Sequence, residues 1–276
     1  MQTKKKKGFF AEHWLDVVVV VAILAALYFL CAYIAKEFKF EKKWAVFYRF
    51  FIENNGYKKL LTGMKNTGII AVSGLAIGIF IGTVIAMVKV IPPYQKITRY
   101  FQTACNIYVG FFRGTPIVVQ ILVGSYILFP LMRLKVDPVL CCVIIFGLNS
   151  GAYISEIMRG GLNSVDPGQL EAARAVGLSF PISMIKVVVP QAVRNVLPTL
   201  GNEFIALIKE TAIVGYVGAI DVTKAFQDQG ANTYEFMIPY LVMALFYIVV
   251  VAIIAFFVKL MERKLGQKNG RHRDQH

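Results

Sequence analysis

The sequence lacks the residue patterns that support nucleotide hydrolysis or acid–base catalysis. No GxxxxGK[ST] phosphate-binding loop occurs in its 276 residues, so the chain is not expected to bind ATP by that route. It has only three histidines, His13, His272 and His276, and they belong to no Ser-His-Asp set or metal-ligand grouping. The sequence therefore predicts no catalytic residue, no metal and no cofactor, and argues against an enzyme.

Cysteine and acidic side chains are also scarce. The four cysteines, Cys31, Cys105, Cys141 and Cys142, lie in or beside apolar segments without CxxC spacing, which indicates small packing residues and neither a metal site nor a disulfide framework. Asp and Glu total 16 against 30 Lys and Arg, which gives a net charge of +14. Because the basic residues cluster at the ends of apolar runs, we interpret them as topology signals and contacts to anionic lipid, and not as a nucleic-acid surface.

Apolar sequence is what the chain has in quantity. It is 57% hydrophobic, with a mean hydropathy of +0.60. The long apolar runs predict an all-α polytopic membrane protein of about six transmembrane helices, of which five form the core. The predicted spans are roughly 14–33, 69–88, 101–128, 139–154 with its continuation, the less hydrophobic stretch that follows Pro190, and 236–258.

The first apolar run follows four lysines at positions 4–7, as in a signal peptide or a retained anchor. The length of the run and the absence of an A-x-A site after it favour the retained anchor. The next segment, 36–62, carries seven basic residues, which fits poorly with an extracytoplasmic position. Its aromatic stretch 44–52 is compatible with an interfacial helix or with an ordinary connecting loop.

Two later spans contain patterns that predict helix contacts and helix breaks. Gly74, Gly78 and Gly82 form two overlapping GxxxG patterns, which indicate close packing against another helix. Arg113 interrupts the third span beside a Gly-Thr-Pro sequence that can break the helix. The arginine is compatible with a position on a transport path or with an interfacial anchor that snorkels.

The fourth span carries a polar stripe. Asn149, Tyr153 and Glu156 are spaced to share one helix face, which should point to the bundle interior or to a cavity. Together with Arg113 they are the candidate substrate-path residues, because a guanidinium suits a carboxylate and a carboxylate suits an ammonium group. Further along, Glu203, Lys209 and Glu210 are compatible with a gate or with neutralised charges near the surface, and Asp221 is predicted to cap a short external helix ending near residue 230.

The polar stretch 166–190 predicts a helix, a glycine turn and a second short helix between two spans. Asp166 suits the N-cap, a proline follows at the first helical position, and Gln169 stands where a capping box places Glu or Gln. Gly177 suits the left-handed residue that closes a helix. Ser179 is predicted to cap the second helix and Pro190 to end it.

This stretch resembles the EAA signature of ABC importer permeases. The resemblance rests on Glu171, Ala172, Ala173, Gly177 and Pro190, at the spacing typical of that family. The sequences AYxxExxRGG and FFRGTPIVVQIL also resemble the subfamily that carries polar amino acids. The resemblance implies a type I transmembrane domain in which these five residues form a cytoplasmic element that couples to a separate ATPase.

The resemblance also implies partners and a location. These are ABC ATPase subunits, a second permease copy or homologue, an extracytoplasmic solute-binding protein, and the bilayer of a bacterial cell membrane with both termini in the cytoplasm. The expected divisions are an N-terminal extension (1–62), the transmembrane domain (63–262) and a basic tail (263–276). A stand-alone channel or ion-driven carrier, and an ABC permease for another kind of solute, remain alternative functions.

Overall fold

The computed structural model describes residues 14–37, 39–91 and 95–270, and this part of the chain is helical throughout, with short connections. The helices, which we number in chain order, are α1 (Trp14–Glu37), α2 (Phe40–Tyr48), α3 (Gly56–Val90), α4 (Lys96–Gly114), α5 (Ile117–Val123), α6 (Pro138–Asn163), α7 (Pro167–Ala175), α8 (Phe180–Ser183), α9 (Val189–Glu210), α10 (Val222–Thr233) and α11 (Met237–Gly270). The all-α prediction is confirmed. The sequence also predicts that two prolines, residues 92 and 93, end the second span, and both lie outside the described residues.

Three helices among the described residues are long and apolar enough to cross a membrane: α3, α6 and residues 237–264 of α11. A fourth span is obtained if α4 and the bent segment after it count as one. These correspond to four of the six predicted spans. The other two fall in α1, whose described apolar part is Val18–Leu30, and in the amphipathic helix α9, and they stay predictions.

The glycine stripe of α3 packs against α6 as predicted. A Cβ added at Gly74, Gly78 or Gly82 would meet α6 at 3.2 Å or less. Successive glycines of α3 meet successive turns of α6, so the two helices run parallel. Near the start of α6, the side chains of Cys141 and Cys142 are buried as packing residues, also as predicted, whereas the side chain of Cys31 is outside the described part.

The third predicted span is broken at the Gly-Thr-Pro sequence. Helix α4 ends at Gly114, α5 begins at Ile117, and the two segments meet at 103°. Thr115 and Pro116 are both extended, which agrees with the bias that proline imposes on itself and on the residue before it. A π-helical turn (Gly124–Leu128) and one last α-helical turn continue α5.

The predicted helix, glycine turn and second helix are present in 166–190, but the prediction that Pro190 ends the second helix is wrong. Helix α8 passes through a π-helical turn, Met184–Val188, directly into α9, and Pro190 lies in the first turn of α9. A π-helical turn is wider than an α-helical one, so it relieves the clash between a proline ring and the preceding turn. Ser179 occupies the N-cap position of α8 without a side-chain capping bond.

At the opposite end of the bundle, α2 packs on α10 and α11. Phe47 is buried in a cluster with residues of α10 and α11, and its carbonyl oxygen accepts from Gln229 Nε2 at 3.3 Å. The stretch 44–52 is thus helical and not a loop, while its position at a membrane surface stays a prediction. As predicted, Asp221 caps the next helix through the N–H groups of Thr223 and Lys224, although that helix, α10, continues to Thr233.

Candidate functional site

The helical hairpin formed by α7 and α8, here termed the coupling hairpin (residues 166–183), lies at one end of the bundle. The Asp166 carboxylate accepts from the N–H of Gly168 at 2.8 Å, which caps α7 as predicted. Gln169 does not complete the expected capping box: its side-chain oxygen accepts from Gln191 Nε2 at 3.4 Å. That contact ties the first turn of α7 to the first turn of α9.

Gly177 closes α7 in the left-handed conformation, with φ +90°. The N–H of Gly177 donates to the carbonyl of Arg174 at 3.0 Å, and the N–H of Leu178 donates to the carbonyl of Ala173 at 3.2 Å. These two bonds make a Schellman motif, which satisfies the terminal carbonyls of α7. A residue with a Cβ is strained at this φ, so the turn depends on glycine.

The coupling hairpin has an inner and an outer face. Leu170 packs against buried Val165, Val188 and Ala192, and Ala173, one turn further along the same face, is 6% exposed. The outer face carries Glu171 and Ala172, which are exposed, and two large apolar side chains that are also exposed, Val176 (78%) and Ile182 (41%). Ile185 (68%), in the π-helical turn that follows the hairpin, is exposed as well. Exposed apolar groups beside a charged residue at a helix end are typical of a protein contact surface.

The four candidate substrate-path residues separate into three groups along α4 and α6. Arg113, at the end of α4, is exposed and places its guanidinium carbon 5.4 Å from the centroid of the Tyr153 ring. This is a cation–π distance. The structure thus brings together two of the predicted residues that are far apart in the sequence.

Asn149, in α6, is 4% exposed, and its side chain contacts the helix break between α4 and α5. Its Nδ2 donates to the carbonyl of Phe112 at 3.2 Å and to Gln120 Oε1 at 3.0 Å. Gln120 in turn donates to the carbonyls of Phe112 and Thr115, at 2.9 and 3.1 Å. The two amides therefore occupy the carbonyls that the broken helix leaves without an intrahelical partner. Sequence reasoning missed Gln120, although a single glutamine in an apolar run was a usable signal.

Glu156 lies beyond Tyr153, towards the coupling hairpin. Its Oε1 accepts from Lys89 Nζ at 2.8 Å, and its Oε2 accepts from Arg159 at 2.7 Å. Lys89 is the penultimate residue of α3, so this ion pair joins the ends of α3 and α6. These side chains line an open polar pocket with Gln102 and Asn106. The sequence alone does not pair Lys89 with Glu156, because the two residues are 67 positions apart.

Glu203, for which the sequence left open a gate or a neutralised charge near the surface, is partly buried in α9. Its Oε1 accepts from Ser150 Oγ at 3.3 Å, which joins α9 to the centre of α6. The adjacent Lys209 and Glu210 are exposed at the far end of the same helix.

Residues 74–267 match the family described as "Binding-protein-dependent transport system inner membrane component". This chain belongs to that family. The match begins within α3 and ends within α11, and it includes the whole coupling hairpin, while α1 and α2 precede it. The chain is thus a membrane permease subunit of an ABC importer system, a multi-pass protein whose ATPase is a separate subunit in that family.

This permease aligns with nearly the whole length of two relatives and of one solved structure. It is 37% identical over 206 residues, 75% of its length and 92% of the relative's, to the arginine transport system permease protein ArtQ of Bacillus subtilis. It is 33% identical over 208 residues, 75% of its length and 92% of the relative's, to the glutamine transport system permease protein GlnP of Escherichia coli. A crystal structure of an amino acid ABC transporter with histidines has 32% identity and a TM-score of 0.70, over 78% of this chain and 98% of that one.

Proposed function

We propose that this permease is the membrane subunit of an ATP-driven importer for polar amino acids. The observation that carries the proposal is the coupling hairpin, which presents Glu171 and Ala172 on an outer face closed by the Schellman turn at Gly177. The relatives' names, which specify arginine and glutamine transport, support the substrate class. A stand-alone channel would have no use for an exposed, rigid surface of this kind.

In this proposal the outer face of the coupling hairpin docks into a groove of an ABC ATPase. Glu171 offers a carboxylate to a basic or amide group, and Ala172 allows close approach. Ala173 lets α7 pack closely on its own subunit, and Pro190 lies in the first turn of the helix that receives the movement. The Gln169–Gln191 contact supports this role for α9, because it joins the docking helix to that helix directly.

The further partners are a second permease copy or homologue and an extracytoplasmic solute-binding protein. The coupling hairpin would face the cytoplasm, which places the end that contains α2 and α10 outside. Helix α11 runs towards the coupling end, and α1 ends at the opposite one, so this orientation places both termini in the cytoplasm. The divisions at 1–62, 63–262 and 263–276 are part of the same proposal.

The substrate path is proposed to pass along Arg113 and Tyr153 towards Glu156. The exposed guanidinium of Arg113 suits an α-carboxylate, and the Glu156 carboxylate suits an α-ammonium group. Glu156 already has two cationic partners, so it would accept the substrate only when Lys89 or Arg159 moves away. Asn149 acts as a positioning residue, because it holds the helix break beside Arg113.

The coupling role can be tested by co-purification of the permease with its ATPase from native membranes in mild detergent. We expect wild type to retain the ATPase, and Glu171→Arg and Gly177→Asp to lose it. Gly160→Ala is the matched control, because a Cβ there meets nothing within 4 Å and the residue is outside the hairpin. If no protein with a phosphate loop accompanies wild type, and the chain alone moves solute into liposomes, the channel or carrier alternative is correct.

The path is tested separately by amino-acid uptake into liposomes that contain the complete complex. Arg113→Ala and Glu156→Gln should raise the apparent KM for amino-acid uptake, while co-purification of the ATPase remains normal. Unchanged affinity and specificity in both variants would exclude these two residues from the path without affecting the coupling proposal.

A further inference from the structure

The end of α1 and the start of α2 form a cationic groove outside the region that matches the family. It has a volume of about 540 Å³ and is lined by Lys36, Lys39, Phe40, Glu41 and Lys42. Three of these five side chains are lysines and one is aromatic. The residues belong to the N-terminal extension, which precedes the family match at residue 74.

The position of the groove relative to the apolar helices places it at a membrane surface. The described side chains of α1 from Val18 to Leu30 are exposed and apolar, and the helix ends at Glu37, one residue after the first groove lysine. Residues 14–33 of the sequence are the first predicted span, and a retained span there places the charged residues at the end of α1 at headgroup level. Helix α2 is held at the same level by the Lys43–Glu235 ion pair of 3.3 Å, because Glu235 lies two residues before the start of the apolar helix α11.

Two other lysines of this region have partners within the fold. Lys43 pairs with Glu235, and Lys59 pairs with Asp228. The lysines of the groove instead lie around an open concave surface that has a single carboxylate, Glu41, in its lining. The exposed rings of Trp44 and Tyr48 on the same helix are typical of side chains at the headgroup level.

We propose that this groove binds the headgroup of an anionic phospholipid, with the acyl chains lying along the exposed apolar surface of α1. The three lysines contact the phosphate and the exposed apolar side chains of α1 contact the chains. This site explains why a basic segment occurs at the end of the bundle opposite the coupling hairpin, where a simple topology signal would not place it. The proposal does not depend on the transported solute; only the comparison with a topology signal rests on the proposed cytoplasmic position of the coupling hairpin.

The test is lipid selectivity of the purified full-length chain in mixed vesicles of phosphatidylcholine and phosphatidylglycerol. Spin-labelled lipids report the fraction held at the protein surface. We expect wild type to hold phosphatidylglycerol in preference to phosphatidylcholine. In the triple variant Lys36→Gln, Lys39→Gln, Lys42→Gln the preference should fall by at least about fivefold, the factor expected for one lysine at an anionic surface.

Two further variants distinguish lipid binding in this groove from a general effect of positive charge on the protein. The control Lys58→Gln, Lys65→Gln, Lys135→Gln removes the same charge from exposed positions at the same end of the bundle and should keep the preference. Replacement of the three groove lysines by arginine should also keep it. Equal losses in the groove and control variants, or no loss in the groove variant, would overturn the proposal.

Inorganic phosphate tests whether the groove recognises a lipid or any phosphate. We expect millimolar phosphate to leave the bound phosphatidylglycerol in place, because the free ion lacks the acyl chains that contact α1. If phosphate alone displaces the lipid from wild type but not from the groove variant, the site is a simple anion site and the lipid assignment is wrong.

Discussion

Lys89 Nζ lies 2.8 Å from Glu156 Oε1, so the last turn of α3 is fixed to α6 about two turns before α6 ends. Both side chains are largely buried, at 13% and 22% exposure, and Arg159 supplies the second cation. A movement of the coupling hairpin that displaced the end of α6 would therefore also move α3, or it would have to break this pair.

Removing the charge of Glu156 should destabilise the permease. Glu156→Gln leaves two cations without their carboxylate, and we expect a loss of about 2 kcal/mol, as for hydrogen bonds to charged groups. Thermal unfolding of the chain in nanodiscs would measure the loss as a lower midpoint. Glu262→Gln, at an exposed position of α11, is the control and should have little effect. Equal midpoints for the two variants would show that the ion pair contributes nothing.

The helix break between α4 and α5 should depend on Gln120. Gln120→Ala leaves the carbonyls of Phe112 and Thr115 without this donor in a buried position, at a cost of about 1–3 kcal/mol. We expect a lower unfolding midpoint and a broader distance distribution between spin labels on α4 and α5. Gln227→Ala, on the exposed face of α10, should change neither measurement. An unchanged distribution in Gln120→Ala would mean that Pro116 alone maintains the bend.

The contact between α3 and α6 gives a comparison within one helix. A Cβ at Gly82 would lie 2.7 Å from Ile154 Cγ2 and 2.8 Å from the Ser155 nitrogen, whereas a Cβ at Gly68 meets nothing within 4 Å. Gly82→Ala should therefore cost about 1–3 kcal/mol through overpacking. Gly68→Ala should be neutral or stabilising by up to about 1 kcal/mol, through helix propensity. If the two substitutions changed the unfolding midpoint by the same amount, this packing would be contradicted.

Asp228 joins α10 to α3 through its ion pair with Lys59, and it also pairs with Lys224, one turn earlier in α10, at 2.8 Å. Partial burial alone would raise the pKa of the Asp228 carboxyl, but hydrogen bonds from Lys224 and Lys59 outweigh it and lower the pKa below the ordinary 3.8. A lowered pKa in the folded state stabilises the fold above the unfolded value, and this stabilisation is lost as the pH falls through the folded value.

Asp228→Asn should accordingly lower stability at neutral pH by about 1 kcal/mol, the upper end for partly exposed pairs. The difference from wild type should be constant at pH values well above 3.8 and should shrink below it. Glu53→Gln breaks the Arg49–Glu53 pair, in which both side chains are more than half exposed, and should have almost no effect. A difference between Asp228→Asn and wild type that grows on acidification would mean that the pKa shift has the opposite sign.

Features with a local cause could be predicted from the sequence. Asp166 and Gly177 cap their helix through neighbouring backbone groups, and the break after Arg113 follows from adjacent glycine and proline. The contacts of Lys89 and Gln120 could not be predicted, because their partners are distant in the chain or arise only once the helix has broken. Pro190 was misjudged because a proline alone does not reveal a preceding π-helical turn.

The π-helical turn at Met184–Val188 has a consequence for the direction of α9 side chains. A π-helical turn contains about one residue more than an α-helical turn, and one residue corresponds to about 100° of rotation around a helix axis. The residues of α9 therefore point in directions that an uninterrupted α-helix from the coupling hairpin would not give them. Glu203 lies in α9, after the π-helical turn, and its side chain contacts Ser150 of α6. The direction in which Glu203 points relative to the coupling hairpin is therefore set by the one additional residue in that turn.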